Sequence, residues 1–162
     1  MESCAVHRAS EGEIDRAFNL VKEYYEEVGV VVREEQGEFA ERYFGSGAGV
    51  WMAAIRGEDA GCIALRRMDA PENCGEVKRM YVREAHRGSG IAAALLYALE
   101  EYARKSGYVW LYLDTTDAMR AAARFYERNG YKHCERYNSN PQATIFMRKK
   151  IVDGETRSKK PR

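Results

Sequence analysis

Apolar residues return every three or four positions at Ile14, Phe18, Val21 and Tyr25, which predicts a first helix ending near Val28. Ser10 stands where an N-cap belongs, and Glu13 completes a capping box. Residues 4–8 read as a short strand ahead of it. A weaker helical pattern covers residues 33–44, whose Phe39, Tyr43 and Phe44 can pack on the first helix. Residues 50–55 and 61–67 are apolar or alternating runs on either side of Arg56-Gly57-Glu58-Asp59, a hairpin signal. A turn containing Pro71, Asn73 and Gly75 leads to residues 76–82, the last of three consecutive antiparallel strands. Helical spacing resumes over residues 92–103 through Leu95, Leu96, Leu99 and Tyr102, and Gly107 ends it. Residues 109–113 are apolar throughout, as in a strand covered on both faces. Asp117 is the expected cap of a helix over residues 118–128, with strands over 131–137 and 143–149 after it. The sum is an α/β domain over residues 4–150, a mixed, mostly antiparallel sheet of about seven strands with about four helices. Residues 151–162 show no apolar period and read as a disordered basic tail.

Residues 76–96, EVKRMYVREAHRGSGIAAALL, run from strand to helix through a glycine-rich loop. Such a junction makes an anion site, because uncapped N–H groups and the positive end of the helix dipole point outward together. Gly88 and Gly90 let the backbone approach phosphate oxygens, so an acyl nucleotide or a dinucleotide is the ligand class expected. The dinucleotide pattern G-x-G-x-x-G/A is present as Gly88, Gly90 and Ala93, with Asp114 near the spacing of a ribose-binding acid. Its context is wrong. Arg83 to Arg87 separate the strand from the first glycine, and the loop comes too late for the remaining βαβ units. A P-loop is excluded because no Gly-Lys-Ser/Thr follows.

Arg87-x-x-Gly90-x-Ala92 resembles the Q/R-x-x-G-x-G/A acetyl-CoA loop of the GNAT N-acyltransferases. Ala122, Phe125, Tyr126, Gly130 and Tyr131 resemble the later A-x-x-F-Y-x-x-x-G-F/Y signature, and the likeness extends over residues 5–149. It is closest to small bacterial members that read GC-x-ALR, E-x-KR-x-YV, RG-x-G, LDT and Tyr-x-x-Asn-Pro in that order, all found here from Gly61 to Pro141. The resemblance implies acetyl-CoA as co-substrate, with its pyrophosphate on Arg87, Gly88, Ser89, Gly90, Ile91 and Ala92. It implies splayed central strands, with backbone at Met80, Tyr81 and Val82 available to pantetheine amides. Tyr126 matches the tyrosine near the thioester sulfur, either protonating the thiolate or only ordering the cofactor. Glu76 aligns with the glutamate that serves as base through water, unless Lys78 holds it in a structural pair. Period two puts Glu76, Lys78, Met80 and Val82 on one face. Asp114 and Thr115, with Asp117, are placed to bind the acceptor ammonium or to make a turn and cap. Tyr24, Tyr25 and Tyr43 are acceptor-wall candidates or core, and Tyr137 and Asn138 border the acceptor side in a loop where Asn140-Pro141 is also a turn device. Met119 replaces an asparagine that often contacts the cofactor.

At 162 residues and 45% apolar composition one domain suffices, and a net charge of +1 gives no basic field for nucleic acid. Neither a basic, apolar leader nor a membrane span is visible, so a soluble cytoplasmic protein is expected. Cys4, Cys62, Cys74 and Cys134 lack a C-x-x-C pair, and no metal site is expected. The expected activity is direct N-acetyl transfer to a small-molecule or amino-acid-like amine in a ternary complex. A noncatalytic acyl-CoA-binding protein and a protein or RNA acetyltransferase are the alternatives. The resemblance also allows a homodimer through the C-terminal strands.

Overall fold

A computed structural model describes residues 3–151. The expected tail lies outside the described residues, Ile151 aside. Seven strands form one sheet in the order β1-β2-β3-β4-β5-β7-β6. They are β1 (Cys4–Arg8), β2 (Gly49–Ile55), β3 (Glu58–Arg67), β4 (Cys74–Val82), β5 (Trp110–Thr115), β6 (Lys132–His133) and β7 (Ile145–Lys150). The helices are α1 (Ile14–Val28), α2 (Gln36–Tyr43), α3 (Ile91–Lys105) and α4 (Arg120–Arg128). All strand pairs are antiparallel except β4 with β5, the pair joined through α3.

Apolar alternation divides the sheet between two layers. Trp51, Ala53 and Ile55 of β2 and Ile63 and Leu65 of β3 face Leu95, Leu96 and Leu99 of α3. Val50, Met52, Cys62 and Ala64 face Phe18, Val21, Phe39 and Tyr43 of α1 and α2. With both faces covered, β2 and β3 read as nearly continuous apolar runs. The capping box forms as expected: the Ser10 backbone N–H donates to Glu13 Oε1 at 2.9 Å.

Three expectations change. A bulge interrupts β4, where Arg79 has φ 57° and the register slips opposite residues 62–64. The period-two face therefore breaks: Lys78, opposite Ala64, and Arg79, paired with Glu34, both lie on the α1–α2 side, whereas Val77, Met80 and Val82 pack on the α3 side. Asp117 does not cap α4. Thr144 Oγ1 and Thr116 Oγ1 accept from the N–H groups of Asp117 and Ala118, holding them in a loop until α4 starts at Arg120. The strand expected over residues 131–137 is cut to Lys132–His133, because the chain then leaves the sheet and the Tyr137 ring packs tilted against Tyr112 and edge-on against Phe146.

Close backbone approach makes one glycine diagnostic. A Cβ on Gly61 would lie 2.5 Å from the Tyr81 carbonyl oxygen, whereas one on Gly37 would meet nothing within 4 Å. Gly61→Ala should lower stability by about 1–3 kcal/mol, and Gly37→Ala, inside α2, should raise it by about 0.4–1 kcal/mol. Urea denaturation of the two variants checks both signs.

Candidate active site

β5 pairs with β4 only at Cys74, Gly75 and Glu76. Beyond them the β5-facing edge of residues 77–82 has no strand partner, and a cleft of about 520 Å³ opens. Val77, Lys78, Arg79 and Met80 form one wall, and Asp114 and Thr115 the other. Tyr24 and Val28 of α1, Tyr126 of α4, and Asn140 and Gln142 of the loop before β7 complete it. Gln142 closes one end: its Oε1 accepts from Val31 N at 2.9 Å, and its Nε2 donates to the Gly29 carbonyl at 3.3 Å.

The loop before α3 has the form of an anion cradle. Gly88 and Gly90 sit at φ 81° and 86°, and a Cβ on either would meet nothing within 4 Å. Glycine is needed there for its left-handed backbone, and the space around both is open. Gly90 caps α3 without a side-chain hydrogen bond, so the first N–H groups, from Ile91 on, lack intrahelical partners. Arg87 Nε donates to the Val82 carbonyl at 2.7 Å and its Nη2 to Glu27 at 2.5 Å, which ties the loop to β4 and α1. Ser89 Oγ donates to the His86 carbonyl at 2.5 Å. The cradle therefore rests on backbone N–H groups and the dipole of a 15-residue helix.

Residues 14–131 match the acetyltransferase (GNAT) family. The chain belongs to that family. An uncharacterized N-acetyltransferase of Schizosaccharomyces pombe is 33% identical over 143 residues, covering 84% of this chain and 87% of that protein. A GNAT-family acetyltransferase from Staphylococcus aureus Mu50 shares the fold with a TM-score of 0.79 at 18% identity, over 92% of this chain and 99% of that one. The N-acetylglutamate synthase of Neisseria gonorrhoeae, solved with coenzyme A and N-acetylglutamate, does so with a TM-score of 0.74 at 17% identity, over 92% of this chain and 35% of its own.

In this GNAT domain Glu76 is 1% exposed and does not line the cleft. Arg66 Nε donates to its Oε1 at 2.9 Å; Tyr137 OH and Asn138 Nδ2 donate to its Oε2 at 2.7 and 3.2 Å. Burial would raise its pKa, but the charge of Lys78, the Tyr137 hydrogen bond and Arg66 outweigh that and hold it below the usual carboxylate range. A carboxylate with both oxygens engaged and a lowered pKa is a poor base. Asn138 also donates to Asp114 Oδ2 at 2.5 Å, so one amide bridges β4 and β5 where they part. Tyr137 and Asn138 thus brace the walls and are not among the residues lining the cleft.

Tyr25 is buried, its OH donating to Glu34 Oε1 at 3.2 Å and accepting from Glu34 N at 3.1 Å, so it is part of the scaffold. Tyr81 also points to the α1 side, donating to Glu23 at 3.1 Å. Tyr24, Met80, Asp114, Thr115 and Tyr126 do line the cleft. Burial, then the charges of Tyr24 and Asp114, hold the Tyr126 phenol well above its ordinary value, so it stays protonated. Lys78, Arg79, Asn140 and Gln142 were not singled out from the sequence as site residues. The bulge that turns the first two together has no local sequence signal, and the last two reach the cleft through a long-range loop.

Glu76 leaves a signature in stability. Its folded pKa lies below the unfolded one, so its contribution is present above the unfolded value of about 4.3 and is lost as pH falls through the folded value. Glu76→Gln should cost about 3 kcal/mol at pH 7 and flatten the loss of stability below pH ~4. Urea denaturation from pH 3 to 7 reads both.

Proposed function

We propose that the protein transfers an acetyl group from acetyl-CoA directly to a primary amine of a small molecule. The observation that carries this reading is the cleft itself, with the anion cradle before α3 beside one wall and Tyr126 within it. Acetyl-CoA would supply an activated thioester. In this reading the N–H groups from Ile91 onward hold the pyrophosphate, and the free edge of β4 at Met80 and Val82 offers backbone partners to an extended amide chain.

Asp114 faces the cleft and orients the incoming amine, with Thr115 beside it. Tyr126 donates its O–H to the departing sulfur. Its raised pKa makes complete proton transfer unfavourable, because that would leave a buried phenolate. Hydrogen-bond donation to the developing thiolate, worth about 1.5–3 kcal/mol, is the contribution expected of it. The amine's proton leaves through Asp114 or solvent, since Glu76 is engaged. The N-acetylglutamate bound in the Neisseria enzyme supports an amino-acid-like acceptor. No described helix is long and apolar enough to cross a membrane.

Calorimetric titration of acetyl-CoA and thiol release with a panel of amines test this reading together. Wild type should bind and release thiol with at least one amine, and Gly90→Arg should lose binding. Tyr126→Phe should lower kcat roughly 10- to 100-fold with little change in acetyl-CoA affinity. Binding without release for any amine points to a noncatalytic acyl-CoA-binding protein or a macromolecular acceptor. An undiminished kcat in Tyr126→Phe removes that tyrosine from the chemistry.

A further inference from the structure

The two walls of the cleft carry opposite unbalanced charge. On β4, Lys78 and Arg79 are consecutive, and the bulge at Arg79 turns both to the same side. Each shares its carboxylate with a second cation: Glu76 pairs with Arg66 at 2.9 Å as well as with Lys78, and Glu34 pairs with Arg42 as well as with Arg79 at 3.0 Å. Lys78 is the poorer served. Its Nζ is 3.8 Å from Glu76 Oε2, too far for a hydrogen bond, and that oxygen already accepts from Tyr137 and Asn138. The Lys78 side chain is only 18% exposed, yet its ammonium makes no hydrogen bond among the described residues. Behind it, the buried Nε of Arg79 also lacks a partner there.

Across the cleft Asp114 has the opposite arrangement. It is bonded by the neutral amides of Asn138 and Asn140, at 2.5 and 3.3 Å, and forms no ion pair among the described residues. Val28, Val30, Val77 and Met80 line the space between with apolar surface, which strengthens any charge pairing made inside. A half-buried ammonium that lines the cleft and has no hydrogen-bond partner on the protein is open to an acceptor atom arriving with a ligand.

We propose that the acceptor carries a carboxylate as well as its amine, and that Lys78, supported by Arg79, is the residue that selects for it. The amine lies toward Asp114 on β5 and the carboxylate toward Lys78 on β4, so an amino acid bridges the parted strands. A simple alkylamine would leave Lys78 without a partner, and an amino acid amide would offer it only a neutral oxygen. The inference rests on the acetyl-transfer reading of the same cleft and adds the second functional group of the substrate.

Binding and turnover separate the two claims. N-acetyl derivatives of α-, β- and γ-amino acids, and the primary amide of each, are titrated by calorimetry into protein saturated with CoA. Thiol release is compared for the free amino acids and their amides. At least one acid should bind at least tenfold more tightly than its amide, and the same preference should appear in kcat/KM. In Lys78→Met the ratio should fall below about threefold, an effect that a merely structural pairing with Glu76 would not produce. Equal binding of acid and amide, binding by none of the acids, or a preference that survives in Lys78→Met overturns the proposal. Amides and alkylamines acetylated as well as the acids would also overturn it while leaving acetyl transfer intact. Absence of thiol release with every amine defeats the acetyl-transfer reading instead, and the acid-to-amide binding ratio still decides this one.

Discussion

β4 and β5 pair over Cys74, Gly75 and Glu76 and then separate, and every feature of the candidate site follows from that parting. Parallel strands normally satisfy each other's edges, so a pair that opens must leave backbone groups for something else. Three devices hold the opening. The bulge at Arg79 bends β4 while β3 stays paired along its other edge. Asn138 binds Glu76 and Asp114 at once and so spans the two strands where they diverge. Gln142 then ties the loop before β7 to the loop after α1, across the end of the cleft.

Electrostatics explain the carboxylates that surround these devices. Glu76, nearly enclosed, stays ionised because Lys78, Tyr137 and Arg66 offset its burial, and removing it would strand cations in a half-desolvated wall. Glu34 bridges Arg42 and Arg79, with Tyr25 as a further donor. The two carboxylates thus organise the wall, while the carboxylate of Asp114 and the phenols of Tyr24 and Tyr126 line the cleft. A base recruited from the wall network would have to break its own support. This is the physical reason for proposing Asp114 and Tyr126, and not Glu76, as the groups that act on the substrates.

Much of this was legible along the chain because it depends on local rules. The helical stripe of α1, the Ser10–Glu13 capping box on the short 3-10 turn that leads into it and the β2–β3 hairpin are patterns of neighbouring residues, and they formed. The glycine loop was legible as well: Gly88 and Gly90 read as backbone open to phosphate oxygens, and the structure adds that both are left-handed. What escaped were long-range choices. Asp117 looks like a cap, but Thr144 and Thr116 bind the N–H groups of Asp117 and Ala118 and the helix starts only at Arg120. Tyr137 continues an apparent strand, yet its hydroxyl finds Glu76 across the sheet. The bulge at Arg79 has no glycine to mark it, so period two misplaced Lys78 relative to Met80.

Backbone hydrogen exchange, followed residue by residue with and without acetyl-CoA, tests most directly whether the parted strands are the donor site. If they are, added protection concentrates in the N–H groups of residues 88–93 and on the free edge of β4 around residues 80–82, while β1 and β2 exchange unchanged. Saturation with acetyl-CoA that leaves both stretches unprotected, or that protects a different part of the chain, would contradict it.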